Sequence, residues 1–365
     1  MFSLGSKKDQ LLALDFGPTS LKMVLMRRLK KRSLVEDILF YPYGEEAPAL
    51  KDPQSEGFFS QIITKALSAY VNKGIPVAMS LPAELVSRQE LTLPLMAGKD
   101  LPQAIYWALK EKMAQSPDIF QRDHLLLGAR KQGHQELQQV RVYLAKQDDI
   151  IRLETFFERL GLSIQCLEPE EMSLAAALHH CPPAVLEANP VLVNLGGDGT
   201  TIAIISDSLP LLTRWLAIST RSWVASLVLH KGFEPKLASQ LIREHGVSFY
   251  RHRFDKLAEG ELQEAVFNSL ESDMQQLALE IHRTTDYFQS TMHKGTVGQV
   301  VLTGGGSQLP DLPHYLGETL GVACATYDPL AKLDFSAFKG DEEQLNICRQ
   351  QASRFTVAVG LALQG

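Results

Sequence analysis

Residues 193–201 read VNLGGDGTT: an apolar run carrying Asn194, then a glycine-rich turn of Gly196, Gly197, Asp198 and Gly199, closed by Thr200. Glycine lets the backbone approach an anion closely, and free N–H groups in such a turn form an anion-binding nest. The chemistry on offer is the gripping of a phosphate. The same letters are also a strong tight-turn signal, since Asp-Gly adopts the backbone angles a short hairpin requires. Near the N-terminus LDFGPTSLK repeats the device, with Asp15 in the place of Asn194; each stands two residues before a glycine, Gly17 or Gly196. A third stretch, TGGGSQLPDL, sets Gly304, Gly305, Gly306 and Ser307 ahead of a helix, and alone it reads equally as a strand-to-helix connection. HHC at His179–Cys181 has no further ligands at chelating spacing and reads as a surface helix end. No Ser/His/Asp or Cys/His arrangement can be assembled from the order of residues alone.

The elements around these stretches follow from hydrophobic spacing. LLALDFG, SLKMVLMRR and SLVEDILFYPY read as an antiparallel meander, and NPVLVNLGG, TTIAIISDS and LPLLTRWLAI as a second one. Two copies of one strand-turn-strand device suggest two similar lobes facing each other. Residues 57–74 carry helical spacing and stop on Gly74, and the strand IPVAMSLP follows. Residues 85–165 read as a small α/β insertion, with a helix from about Leu101 to Ala114 on which Trp107 serves as an apolar anchor. The longest helix runs from about Leu262 to His293, with one core stripe of Leu262, Val266, Leu270, Met274, Leu277, Ile281 and Phe288. ASRFTVAVGLALQG closes the sequence as an apolar helix.

The 365 residues leave room for two domain-sized parts; 45% of them are hydrophobic and 21% charged, as in a soluble protein with a substantial core. A net charge of -6 argues against wholesale nucleic-acid binding, which needs a basic face. The basic run Arg27–Arg32 reads as a solvated hairpin tip before a membrane-binding patch. Four scattered cysteines with no CxxC pair read as reduced thiols of a cytoplasmic protein. Neither a signal peptide nor a run of about 18 apolar residues is legible, so membrane work is expected only through recruitment.

With both meanders and the TGGGSQLPDL loop in place, the chain resembles the actin-like ATPase superfamily, in its bacterial branch with FtsA, and more closely the PilM family of type IV pilus assembly. FFERLGLSIQCLEPEEMSLAAAL and VVLTGGGSQLPDLPHYLGETLGV carry the resemblance further, and it runs nearly end to end. It implies an α/β, two-lobed actin-like (ribonuclease H-like) fold with a small α/β subdomain inserted in the first lobe. The implied division is residues 1–84 for the first part of the first lobe, 85–165 for the insertion and 166–190 for the first lobe continued. Residues 191–345 would form the second lobe, with a helical subdomain at about 213–295, and 346–365 a helix returning to the first. In that family ATP with Mg lies between two phosphate hairpins and an adenosine loop. The match places Asp15, Gly17, Thr19, Ser20 and Lys22 in the first hairpin, with Asp15 toward the metal. Asn194, Gly196, Gly197, Gly199 and Thr200 fall in the second, and Gly304–Ser307 in the adenosine loop.

Four departures weaken that site. Pro18 replaces a small hydroxyl residue, which removes a backbone N–H and a hydroxyl together. Asn194 stands for an aspartate, a neutral acceptor where Mg²⁺ favours anionic oxygen. Asp198 puts a carboxylate where it would repel a triphosphate unless a cation stands between them, or would replace the lost metal ligand. Ser239 and Ile242 stand where the family often carries a glutamate and a lysine around ribose and adenine.

The resemblance therefore implies a cytoplasmic scaffold of a type IV pilus or related envelope machine, peripheral to the inner membrane through a PilN-like single-span partner. The partner's short cytoplasmic tail would lie in a groove near VAMSLP and the helix around Tyr106 and Trp107. No nucleic acid and no direct membrane insertion are expected, and ATPase activity is expected to be weak or absent. The alternative is an active ATPase coupling nucleotide state to assembly. A filament-forming membrane tether would need a polar linker and an amphipathic tail after LALQG.

Overall fold

QLLALDF is apolar at consecutive positions, the pattern of a strand covered on both faces, and it forms β1 (Gln10–Phe16). In this computed structural model residues 9–30, 32–44, 47–132, 134–252, 260–292 and 295–364 are described. β1 pairs antiparallel with β2 (Ser20–Leu29), which pairs in turn with β3 (Arg32–Pro42), so the first meander is present. The chain divides into two compact units, one containing Pro48–Glu170 and the other built from Asp9–Ala47 with Glu171–Gly365.

In the first unit α1 (Glu56–Ala66) leads to β4 (Pro76–Leu81), which runs parallel to β8 (Ser163–Pro169). The helix ends earlier than its spacing predicts, because the Asn72 N–H bonds to Gly161 O at 2.8 Å and the chain turns through left-handed Asn72 and Gly74. Between β4 and β8 lie β5 (Ser87–Pro94), α2 (Leu101–Lys112), β6 (Phe120–Gln132), β7 (Gln135–Lys146) and α3 (Gln147–Arg159). The three strands make their own antiparallel sheet in the order β5-β7-β6. Leu101, Ile105 and Leu109 of α2 pack on Leu91, Leu93, Val140, Val142 and Leu144. Trp107 is on the other side of the helix and 52% exposed, so the anchor role expected of it falls to those three aliphatics.

In the second unit α4 (Glu170–His180) precedes β9 (Val191–Leu195), β10 (Thr200–Ser206) and β11 (Leu209–Leu216). A helical stretch follows: α5 (Thr220–Lys231), α6 (Pro235–His245), α7 (Phe249–His252) and α8 (Glu261–Tyr287). β12 (Gln299–Thr303), α9 (Leu312–Leu320), β13 (Ala323–Thr326), α10 (Glu342–Gln350) and α11 (Thr356–Gln364) complete it. The sheet order is β11-β10-β9-β12-β13, with β12 and β13 parallel to β9. The α8 stripe is buried from Val266 to Ile281, but Leu262 in the first turn is 48% exposed. A wider turn, Phe288–Met292, continues α8 and buries Phe288; His293 lies outside the described residues.

Two arginines of the basic run serve the fold. Arg27 bridges to buried Glu36 at 2.5 Å, and Arg28 donates to Ala362 O near the end of α11 at 3.2 Å. His179 and His180 close α4, where the Tyr327 hydroxyl donates to Ala177 O and Cys181 O at 2.9 and 2.8 Å. Among the described residues no helix is long and apolar enough to cross a membrane.

Candidate functional site

Both glycine turns and the third glycine loop lie in the second unit. β1 and β2 place Asp15 directly opposite Lys22, a cross-strand pair whose side chains share a face. The Lys22 ammonium lies 2.9 Å from Asp15 Oδ2 and donates to Ser20 O at 3.2 Å, with both side chains largely buried. It folds over Gly17, where an added Cβ would stand 2.5 Å from Nζ. The four carbonyls of this turn are all engaged. Gly17 O accepts from the Tyr43 hydroxyl, and Pro18 O from Arg221 Nη2 at 2.9 Å. Thr19 O accepts from the Tyr43 N–H at 3.0 Å, and Ser20 O from the Gly17 N–H at 3.1 Å as well as from Lys22. Burial, and after it the Asp15 carboxylate, push the Tyr43 hydroxyl far above its ordinary ionisation range, although Arg221 pulls the other way. Tyr43 is therefore a permanent donor here.

The second turn joins β9 to β10, with the Gly196 N–H bonded to Gly199 O at 2.9 Å. Buried Thr200 spends its hydroxyl on Ile218 O at 2.7 Å. This turn docks on the start of α5. An α-helix begins with four N–H groups that lack partners inside the helix. Here Ser219 donates to Ser222 Oγ at 3.0 Å, Thr220 to Gly196 O at 3.0 Å, Arg221 to Gly197 O at 3.3 Å and Ser222 to Ser219 Oγ at 3.0 Å. The Ser219–Ser222 capping box explains why the helix starts here.

The two turns touch. A Cβ on Gly197 would stand 2.9 Å from Pro18 Cβ and 3.2 Å from Pro18 Cγ, so the proline ring rests on the glycine backbone. Beside this contact the Arg221 guanidinium bonds to three partners. Nη1 meets Asp198 Oδ1 at 2.6 Å, and Nη2 meets Pro18 O at 2.9 Å and Ala47 O at 3.0 Å. Sequence reasoning missed Arg221. The available signal was Asp198, whose negative charge called for a nearby cation.

The third loop is packed from beneath. Gly304, at φ +81, donates its N–H to Ser353 O at 2.9 Å, and a Cβ there would stand 2.4 Å from Asn194 Oδ1. Gly306 lies on Leu195 and on the fully buried Trp223 ring, and Ser307 turns its hydroxyl back onto Gly304 O at 2.8 Å. The Arg354 guanidinium covers Gly305, with its Cζ 3.2 Å from where a Cβ would be. On α6 Ser239 accepts from Arg243 Nη1 at 3.0 Å, and Ile242 is buried. The structure thus joins the Asp15–Lys22 turn to the Gly196–Thr200 turn, and brings Asn194 against Gly304. Among the described residues no group of three or more His, Cys, Asp or Glu could hold a metal ion.

A family model described as type IV pilus assembly protein PilM matches residues 13–365. Among solved structures, one of a PilM-PilN type IV pilus biogenesis complex is similar with a TM-score of 0.77 at 18% identity, over 98% of this chain and 99% of that one. The ethanolamine utilization protein EutJ from Carboxydothermus hydrogenoformans gives 0.53 at 13% identity, over 100% and 93%. A MamK double helical filament also gives 0.53 at 13%, over 97% and 98%. No curated protein matches the chain. At these identities the structural likeness shows the fold, which is the actin-like α/β fold. The family match spans nearly every residue: the chain is an actin-like protein that belongs to the type IV pilus assembly protein PilM family.

Proposed function

We propose that this PilM-family chain is a cytoplasmic scaffold of a type IV pilus or related envelope machine, held at the inner membrane by the short cytoplasmic tail of a single-span, PilN-like partner. The observation that carries this reading is the match to the PilM family over residues 13–365. Its end-to-end likeness to a chain of a PilM-PilN complex supports the kind of partner. The tail is proposed to lie near β4 and α2, where exposed Trp107 is stacked by the Lys110 ammonium at 5.1 Å and by Tyr106 edge-on. An exposed tryptophan with a cation beside it suits an extended peptide that offers an apolar residue flanked by an acidic one. The test is fluorescence anisotropy with a synthetic peptide of the partner's cytoplasmic tail, paired with capture of the full-length partner. Saturable peptide binding and loss of capture after tail deletion are expected; capture that survives the deletion would overturn the scaffold-by-tail reading.

The residues of the two turns do not suit magnesium and a triphosphate in this arrangement. Asp15 is paired with Lys22, Asn194 carries no charge, Pro18 offers no N–H, and the Asp198 carboxylate is held by Arg221 rather than free to bind a metal. These features support a degenerate nucleotide site in which hydrolysis is weak or absent. Calorimetric titration with ATP and Mg²⁺, followed by phosphate release from the same sample, checks it. Sustained phosphate release would refute the degenerate reading.

A further inference from the structure

We propose that Arg221 is an internal tie that holds the two turns together in the place of a nucleotide, so that they stay closed with nothing bound. The inference rests on the reading of the site as one without turnover, and it names what replaces the ligand. An arginine guanidinium has the fork geometry that suits carboxylate and phosphate alike. Here its acceptors are all supplied by the chain: the Asp198 carboxylate in the second turn, Pro18 O in the first, and Ala47 O beyond β3. A phosphate entering between the turns would compete with Asp198 for that cation and would meet its charge.

Three further observations point the same way. The ring of Pro18 lies on Gly197, so protein atoms occupy the approach between the turns. The first N–H groups of α5, otherwise a ready site for an anion, are bonded to Gly196 O, Gly197 O and the Ser219 cap. The other cation of the site, Lys22, is bound to Asp15. Two carboxylates and two cations are thus paired off within the chain.

Hydrogen exchange on the full chain tests the tie, read at the bonded amides of Gly17, Tyr43, Gly196 and Thr220, with and without ATP and Mg²⁺. In the wild type these amides exchange slowly without nucleotide, and ATP changes their rates by less than about twofold. Arg221→Ala raises exchange in both turns together by about tenfold or more, since three bonds from one charged donor are lost. The β7 amides keep their rates and serve as the internal control. If Arg221→Ala fails to fold, Arg221→Lys and Asp198→Asn carry the test. A single ammonium cannot reproduce the fork, so Arg221→Lys raises exchange by several-fold, while Asp198→Asn keeps both carbonyl bonds and raises it less. Unchanged exchange in these variants, or wild-type turns slowed tenfold by ATP, would overturn the tie. Phosphate release by the wild type would refute the reading on which the tie rests, whatever the exchange rates; unchanged exchange without phosphate release would refute the tie alone.

Discussion

If Pro18 rests on Gly197, adding one methyl group to Gly197 should be costly, and removing the proline ring should recover much of that cost. Gly197 is not held at positive φ, so alanine meets no backbone penalty there and the effect reports packing alone. The new Cβ would lie 2.9 Å from Pro18 Cβ, 3.2 Å from Cγ and 3.6 Å from Cδ. The first distance lies well inside the usual 3.5–4.0 Å carbon contact. Inserting a methyl into a filled site costs roughly 1–3 kcal/mol, and a Gly197→Ala loss of about 2 kcal/mol is expected. Pro18→Gly removes all three carbons and loosens the turn in the unfolded chain, a cost of about 1 kcal/mol. In the double variant the clash is absent, so the two changes should cost less together than their sum, by about 1–2 kcal/mol of coupling.

The assay is thermal unfolding followed by tryptophan fluorescence in a Trp107→Phe background. The two remaining tryptophans both report on the second unit: Trp215 packs on Gly199 of the second turn and Trp223 on Gly306 of the third loop. For a unit of this size each kcal/mol shifts the midpoint by about 2–4 °C, so Gly197→Ala should lower it by about 4–8 °C. A neutral Gly197→Ala, or strict additivity in the double variant, would mean that the turns stand apart with room for a ligand.

Two other outcomes follow from the packing. Gly360 lets α11 cross α4 so closely that a Cβ would stand 1.8 Å from Ser173 O; because both sides are backbone, Gly360→Ala should cost about 3–5 kcal/mol and show as a large fall in the same melting midpoint, whereas a wild-type midpoint would contradict that crossing. The four thiols are raised mainly by burial, Cys181 to about 11 and Cys166, Cys324 and Cys348 to about 12. A raised folded pKa makes a contribution that is whole below the unfolded value near pH 9 and is lost as pH climbs toward 11–12. Stability should therefore fall across that alkaline window, and a disulfide reagent at pH 8 should label Cys181 and Cys348, 3% and 0% exposed, far more slowly in the native than in the denatured protein; rapid native labelling of these two would refute their burial.

Much of this site was readable because its determinants are local. Asp15 and Lys22 fall opposite each other once a hairpin turns at Gly17–Thr19, and strand periodicity then puts both side chains on one face. The glycines at 196, 197 and 199 announced a turn for the same reason. What lies on Gly197, Gly199 and Gly306 was not readable, since Pro18, Trp215 and Trp223 reach those backbones from other parts of the chain. Arg221 is more than twenty residues from Asp198 and shares no helical or strand period with it. The end of α1 was missed in the same way, because the Gly161 carbonyl that draws Asn72 out of the helix belongs to a distant turn. Trp107 and Leu262 show the limit of periodicity, which gives a side chain a face but not the neighbour that would cover it.

The balance of forces at Arg221 decides how its tie should respond to mutation. The Arg221 and Asp198 side chains are 27% and 36% exposed, and an ion pair so open to water is worth about 0.2–1 kcal/mol. The bonds from the guanidinium to Pro18 O and Ala47 O are partly buried. Hydrogen bonds from a charged donor contribute about 1.5–3 kcal/mol each, so these two outweigh the charge pair. The tie is thus chiefly a bond between a side chain and two backbone segments, with Asp198 aiming the fork. On this reasoning Asp198→Asn should loosen the turns less than Arg221→Lys, and added salt should hardly change wild-type exchange, because screening acts on the smaller contribution. A strong salt dependence, or an Asp198→Asn effect as large as that of Arg221→Ala, would show that the charge pair dominates and that the backbone bonds are secondary.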